Sequence, residues 1–251
     1  MEEQTVRLNK HLANLGLCAR RDVNAFLKRE YVTINGKRAT EQGIRIDLHH
    51  DDIKINGEKI KPPKLEYYLL NKPKGIISTT ADEYGRKNVL SLIPSKERVY
   101  PVGRLDKETS GLLLLTNDGT LTNQLIHPKY HVNKVYRLTI AGKVNPAQLK
   151  ALRNGVLLTD GITAPARVTV IKERSNVSMI EMTIHEGRNR QIRRMCETVG
   201  IRLLDLQRIR FGPLTVQGLG IGKFRKLTQE EIHALRKMSS SQQKREISAS
   251  R

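Results

Sequence analysis

Apolar residues recur every three or four positions near the start of the chain. Leu8, Leu12 and Leu15 fall on one helical face, and Gly16 follows where a helix would stop. Val23, Phe26 and Leu27 give a second short apolar face. The period then changes. Tyr31-Val-Thr-Ile34 is β-prone and runs into Asn35-Gly36, and Asp52-Ile-Lys-Ile55 runs into Asn56-Gly57, a tight-turn signal used twice. The pattern predicts a small α+β module over residues 1–64.

A stiff, extended connector is expected at Lys61-Pro-Pro-Lys-Leu-Glu66, where two adjacent prolines sit among charged residues. Beyond it, strands are expected over 67–70, 111–116, 136–140, 166–171 and 179–184. Helices are expected over 121–127, 146–153 and 190–199, with Gly155 and Gly200 just past the ends of the last two. A final helix opens at Thr228, and Glu231 completes a capping box. Hairpins and helices mixed without a repeating βαβ rhythm argue for an α+β domain over 65–238 with a mostly antiparallel mixed sheet. Residues 239–251 are Ser-rich and polar, and a flexible tail is expected there.

Charge changes the picture. The chain has 251 residues, 45 Lys+Arg and 25 Asp+Glu, a formal net charge of +20. Such a balance attracts polyanions, nucleic acid first among them. Hydrophobic residues make up 38% of the chain and glycines number 18, enough to bury a core. The longest run of large apolar residues is Leu112 to Leu115, far short of the roughly 20 that span a membrane. The N-terminus lacks the basic start and apolar stretch of a secretion signal. Two cysteines, Cys18 and Cys196, are too few for a disulfide framework and are expected as free thiols in a reducing cytoplasm.

Standard cofactor and metal signatures do not account for the chain. Gly218-Leu-Gly-Ile-Gly222 does not open a helix after a strand, as a dinucleotide site requires. His127 and His131 are four apart, but Pro128 spoils the helix that would align them, and His49-His50-Asp51-Asp52 reads as a loop before a strand. No metal and no cofactor is expected. Three segments carry candidate chemistry instead. Asp106 ends a loop that leads into the apolar strand 111–116, so it would sit at the rim of a rigid sheet; an aspartate in a turn more often caps backbone amides. Tyr136 lies on a strand where core packing is the ordinary role, yet an extruded base needs an aromatic face, and only 7 Tyr and 3 Phe exist to supply one. Residues 186–210 hold seven arginines against three acids. Arg190, Arg193 and Arg194 cannot all point one way on a helix, so one beside Ile192 and Met195 could turn inward and would need a carboxylate partner.

Taken together, Gly103-Arg-Leu-Asp106 with Thr109-Ser-Gly111, Leu70-Asn-Lys-Pro73 with Gly75, and Gly187-Arg-Asn-Arg-Gln-Ile-Arg-Arg194 resemble the pseudouridine synthases of ribosomal RNA. The branch is the one with an N-terminal S4 RNA-binding domain, the RsuA/RluB type. The S4-like features are Arg7-Leu-Asn-Lys10, Gly16, Cys18-Ala-Arg-Arg21 and Val32-Thr-Ile-Asn-Gly36. Ala19 and Glu30 depart from that pattern, where serine and glycine are common. Gly155-Val156, Asp160-Gly161 and Glu186-Gly-Arg-Asn189 look closest to the large-subunit, 23S rRNA branch.

The resemblance implies a redox-neutral isomerisation. The uridine glycosidic bond breaks, the uracil turns, and C5 rejoins the ribose. Asp106 matches the family's catalytic carboxylate, acting covalently on sugar or base, or as a base at the ribose. Tyr136 would stack on the uracil and help remove the C5 proton, and Arg193 would pair with Asp106. Arg104 would fill the gap left when the uridine leaves its stack, a step that costs a few kcal/mol and favours loops or weakly paired strands. RNA contacts are expected from Arg188, Asn189, Arg190 and Gln191, and in the small module from Lys10, Arg20, Arg21, Lys28, Arg29, Lys37 and Arg38. The implied partner is ribosomal RNA or a pre-ribosomal particle, with no membrane, no DNA and a monomer as the default. The same chemistry on 16S rRNA or tRNA is an alternative. A non-catalytic RNA-binding ribosome-assembly protein is a rival of another class, with no use for Asp106, Tyr136 and Arg193 together.

Overall fold

The computed structural model describes residues 5–41, 43–59, 62–80 and 85–238. The tail expected over 239–251, and Lys61 of the connector, lie outside the described residues. The chain divides into two compact units. The first takes the chain up to Glu66 and adds Ser95–Arg98 and Asn117–Gly119; the second holds Tyr67–Pro94, Val99–Thr116 and the chain from Thr120 on.

In the first unit, helices Leu8–Asn14 and Val23–Arg29 bury Leu8, Leu12, Val23, Phe26 and Leu27 against Val32, Ile46 and Ile55. Strand Val32–Ile34 pairs antiparallel with Lys37–Arg38 and with Ile53–Ile55, which in turn pairs with Glu58–Lys59. Asn35 and Gly36 have φ of 52° and 79°, and Asn56 and Gly57 have 52° and 87°, so both turns use the doubly left-handed geometry that Asn-Gly tolerates. A strand the periodicity did not predict, Thr5–Arg7, pairs with Arg45–Asp47.

Among the described residues, the second unit is built on a nine-stranded sheet. Its main path runs Arg167–Glu173, Val177–Ile184, Lys134–Ala141, Leu203–Phe211, Ser110–Thr116, Tyr67–Lys72 and Phe224–Lys226. Every adjacent pair is antiparallel except one. Leu203–Phe211 and Ser110–Thr116 run parallel, in register at Gln207 with Ser110 and Arg208 with Gly111. All seven residues of Ser110–Thr116 are buried. Its alternate leucines serve two separate cores. Leu113 and Leu115 join Tyr68, Leu70, Leu138, Ile180 and Met182, while Leu112 and Leu114 join Tyr67, Leu69, Phe211 and Leu235. Helix Pro146–Asn154 carries a full capping box between Asn145 and Gln148. The helix at 229–238 opens with Thr228 and Glu231 capping each other reciprocally. No helix among the described residues is long and apolar enough to cross a membrane.

Candidate active site

The parallel junction positions the site. It sets the loop before Ser110 against the strands Lys134–Ala141 and Leu203–Phe211 and the helix Gln191–Thr198. Among them lies a cavity of about 310 Å³ walled by Asp106, Tyr136, Arg104, Lys134, Arg193 and Arg208, with Asn189 and Arg190 at its edge.

The loop carrying Asp106 is tied down on both sides. Buried Ser78 donates its hydroxyl to the Leu105 carbonyl (3.0 Å) and accepts from the Leu105 amide (3.2 Å). The Lys107 carbonyl accepts from the Gly75 amide (2.9 Å) and from Lys72 Nζ (3.4 Å). Lys72 is fully buried and also donates to the carbonyls of Pro73 and Ile76. Burial lowers its pKa to about 8, with Glu108 and Asp106 pulling the other way. The Thr109 amide closes the turn onto the Asp106 carbonyl. Asp106 itself, between two fixed neighbours, keeps its carboxylate partly exposed to the cavity.

Of Arg190, Arg193 and Arg194, Arg193 turns toward the loop. Its Nη2 donates to the Glu108 carbonyl (2.8 Å) and to Thr109 Oγ1 (3.2 Å), and its Nε lies 3.9 Å from Asp106 Oδ2. That Nε is buried and makes no hydrogen bond. Arg194 goes elsewhere, gripping Asp160 through two 3.0 Å bonds. Arg190 is exposed at the start of the helix with φ 47°. Arg188 commits its guanidinium to Glu186 and to the carbonyls of Asp160, Gly161 and Ile162, and Gln191 bonds Glu186 and the Arg188 amide. The donors of Arg188 and Gln191 are thus spent within the protein, while Asn189, Arg190 and Arg104 remain exposed at the cavity.

Tyr136 is buried on the strand Lys134–Ala141, paired with Met182 on one side and Arg208 on the other. Two cations beside it escaped the sequence reading of the site. Lys134 donates to the His185 carbonyl (3.0 Å) and the Val132 carbonyl (3.3 Å), and burial lowers its pKa to about 8, with Arg208 adding to the shift. Arg208 is only 2% exposed; its Nε donates to the Leu112 carbonyl (2.7 Å) and its guanidinium lies over Phe211. Arg208 has little signal in the sequence, because Leu203–Phe211 also holds Arg210 and its polar and apolar positions do not alternate cleanly.

In the first unit Lys10, Arg20, Arg21, Lys28, Arg29, Lys37 and Arg38 are all exposed. Glu30 bonds Arg29 Nε at 2.9 Å and accepts from Asn56 at 2.8 Å, so the acid on this face offsets one neighbouring cation and braces a turn. Arg38 lies over the exposed ring of Tyr31.

A family model for RNA pseudouridylate synthase matches residues 66–198. "Ribosomal large subunit pseudouridine synthase B" of Bacillus subtilis (strain 168) is 41% identical over 236 residues, which cover 93% of this chain and 96% of that protein. "Dual-specificity RNA pseudouridine synthase RluF" of Escherichia coli (strain K12) is 34% identical over 241 residues, 95% of this chain and 81% of that one. A solved structure described as a pseudouridylate synthase superposes with a TM-score of 0.67 at 28% identity, covering 92% of this chain and 99% of its own.

Proposed function

The chain belongs to the RNA pseudouridylate synthase family, and on that premise we propose that it converts a uridine of large-subunit ribosomal RNA to pseudouridine. The observation that carries the reading is Asp106, a carboxylate fixed between clamped neighbours and open to a cavity walled by Tyr136 and Arg193. The uridine enters that cavity after leaving its stack, and Arg104 at the rim fills the space behind it. Asp106 acts on the nucleotide as the N1–C1′ bond breaks. The uracil turns against the Tyr136 ring, C5 bonds to C1′, and the C5 proton is lost as N1 gains one. Atoms and electrons balance without an external oxidant or reductant. Arg193 holds the Asp106 loop and its charge. The small N-terminal unit is an S4-type RNA-binding module that presents its exposed cations to the phosphate backbone. The protein works as a monomer in the cytoplasm, on ribosomal RNA or a particle that contains it.

The test is tritium release from RNA labelled at uridine C5, with large-subunit, small-subunit and transfer RNA transcripts run separately. Release from the large-subunit transcript alone is expected. Release only from another RNA moves the target, and binding without release from any of them removes the enzymatic reading.

A further inference from the structure

Strand residues alternate between the two faces of a sheet, and at the start of Lys134–Ala141 they alternate between two cavities. Lys134 and Tyr136 line the candidate active site, whereas Asn133, Val135 and Arg137 line a second depression of about 660 Å³ on the opposite face. Neighbouring strands repeat the division, with Ile184 against Thr183 and Phe211 against Arg210. The two cavities therefore lie back to back across the same strand ends.

The second face carries Arg137, Arg167 and Arg210 against one acid, Glu181. Glu181 is spent on Arg137 at 2.9 Å, and the Nε of Arg137 still has no partner. Arg167 and Arg210 are exposed, and no ion pair or hydrogen bond holds either guanidinium among the described residues. The register runs from Arg167 through Thr183 and Val135 to Arg210. That puts the two arginines three strand spacings apart, about 14 Å, with hydroxyl-bearing side chains near them. Fixed positive charge, hydroxyl donors and no aromatic ring suit a sugar–phosphate backbone better than stacked bases.

We propose that this face is a second RNA-binding surface, which takes the backbone of the strand flanking the nucleotide in the active-site cavity as it rounds the strand ends. It rests on the reading that the substrate is RNA, and it adds a contact that a short substrate cannot reach.

The experiment measures binding of fluorescent oligouridylates of about 6 and about 30 nucleotides as a function of salt, since backbone contacts are sequence-independent. The variant is Arg167→Gln/Arg210→Gln. The control is Lys150→Gln/Arg202→Gln, which removes equal charge from exposed positions elsewhere. The expected result is about tenfold weaker binding of the long oligonucleotide at roughly 0.1 M salt, with the salt slope shallower by about 0.7 per lost contact. The short one should bind unchanged, and the control should bind both as wild type does. Unchanged binding of the long oligonucleotide overturns the proposal. So does an equal loss for both lengths or an equal loss in the control. Tritium release by the wild type, run in parallel, separates the two readings: its failure with the length-dependent loss intact removes the synthase and leaves the RNA surface.

Discussion

The Nε of Arg193 stands 3.9 Å from Oδ2 of Asp106, while Nη2 of the same guanidinium is bonded to Glu108 and Thr109. The arginine is anchored to the backbone of the loop, and its charge faces the carboxylate from just beyond hydrogen-bond range. Catalytic contacts of this kind often tighten only with substrate bound. Arg193→Lys keeps the charge but cannot hold loop and carboxylate together through one planar fork. Its kcat is expected to fall about 10²-fold with KM little changed. An unaltered kcat would show that charge alone suffices.

Gly111 follows the same loop and has φ 110°; a Cβ built there would lie 2.2 Å from the Arg208 carbonyl. It sits in the parallel pairing that joins the two parts of the sheet. Gly111→Ala adds both backbone strain and a backbone clash, and about 2–5 kcal/mol of lost stability is expected in urea unfolding. A midpoint equal to that of wild type would show that the junction is more pliant than its geometry.

Lys72 has a pKa lowered by burial to about 8. Between that value and its ordinary one near 10.5, the unfolded chain binds more protons at this site than the fold does, so the fold gains stability as pH rises through the window. Lys72→Met removes this contribution. The rise in urea midpoint between about pH 7.5 and pH 10 should be smaller in the variant than in wild type. Identical pH dependence would place the titration elsewhere.

The two thiols should separate kinetically. Cys196 is fully buried and its pKa is pushed up to about 12, while Cys18 is partly exposed and raised less far by burial and Asp22. Alkylation at about pH 8 should mark Cys18 first and reach Cys196 only on unfolding. Equal labelling in the folded protein would contradict the packing around the helix Gln191–Thr198.

The elements that periodicity predicted well are those whose core positions are mostly large apolar residues, Leu112 to Leu115 in Ser110–Thr116 and Ile180, Met182 and Ile184 in Val177–Ile184. Strand Leu203–Phe211 was missed because Arg208 occupies an inward position, which breaks the alternation that would betray a strand. The loop around Asp106 and the helix with Arg193 stood out as motifs. The clamps did not, since Ser78 and Lys72 act on backbone atoms of Leu105 and Lys107, 27 and 35 residues away. Periodicity carries no such long-range pairing. That one of Arg190, Arg193 and Arg194 would turn inward is legible in the sequence; which one depends on where the loop meets the helix.

The proposed isomerisation depends on the Asp106 carboxylate. The most direct measurement is single-turnover tritium release from C5-labelled large-subunit RNA by wild type and Asp106→Asn, with RNA binding followed in the same samples. The substitution keeps size and hydrogen-bonding reach and removes the charge. Release should slow on the order of 10³-fold or more, with binding within about twofold of wild type. Release at the wild-type rate from the variant would contradict that dependence.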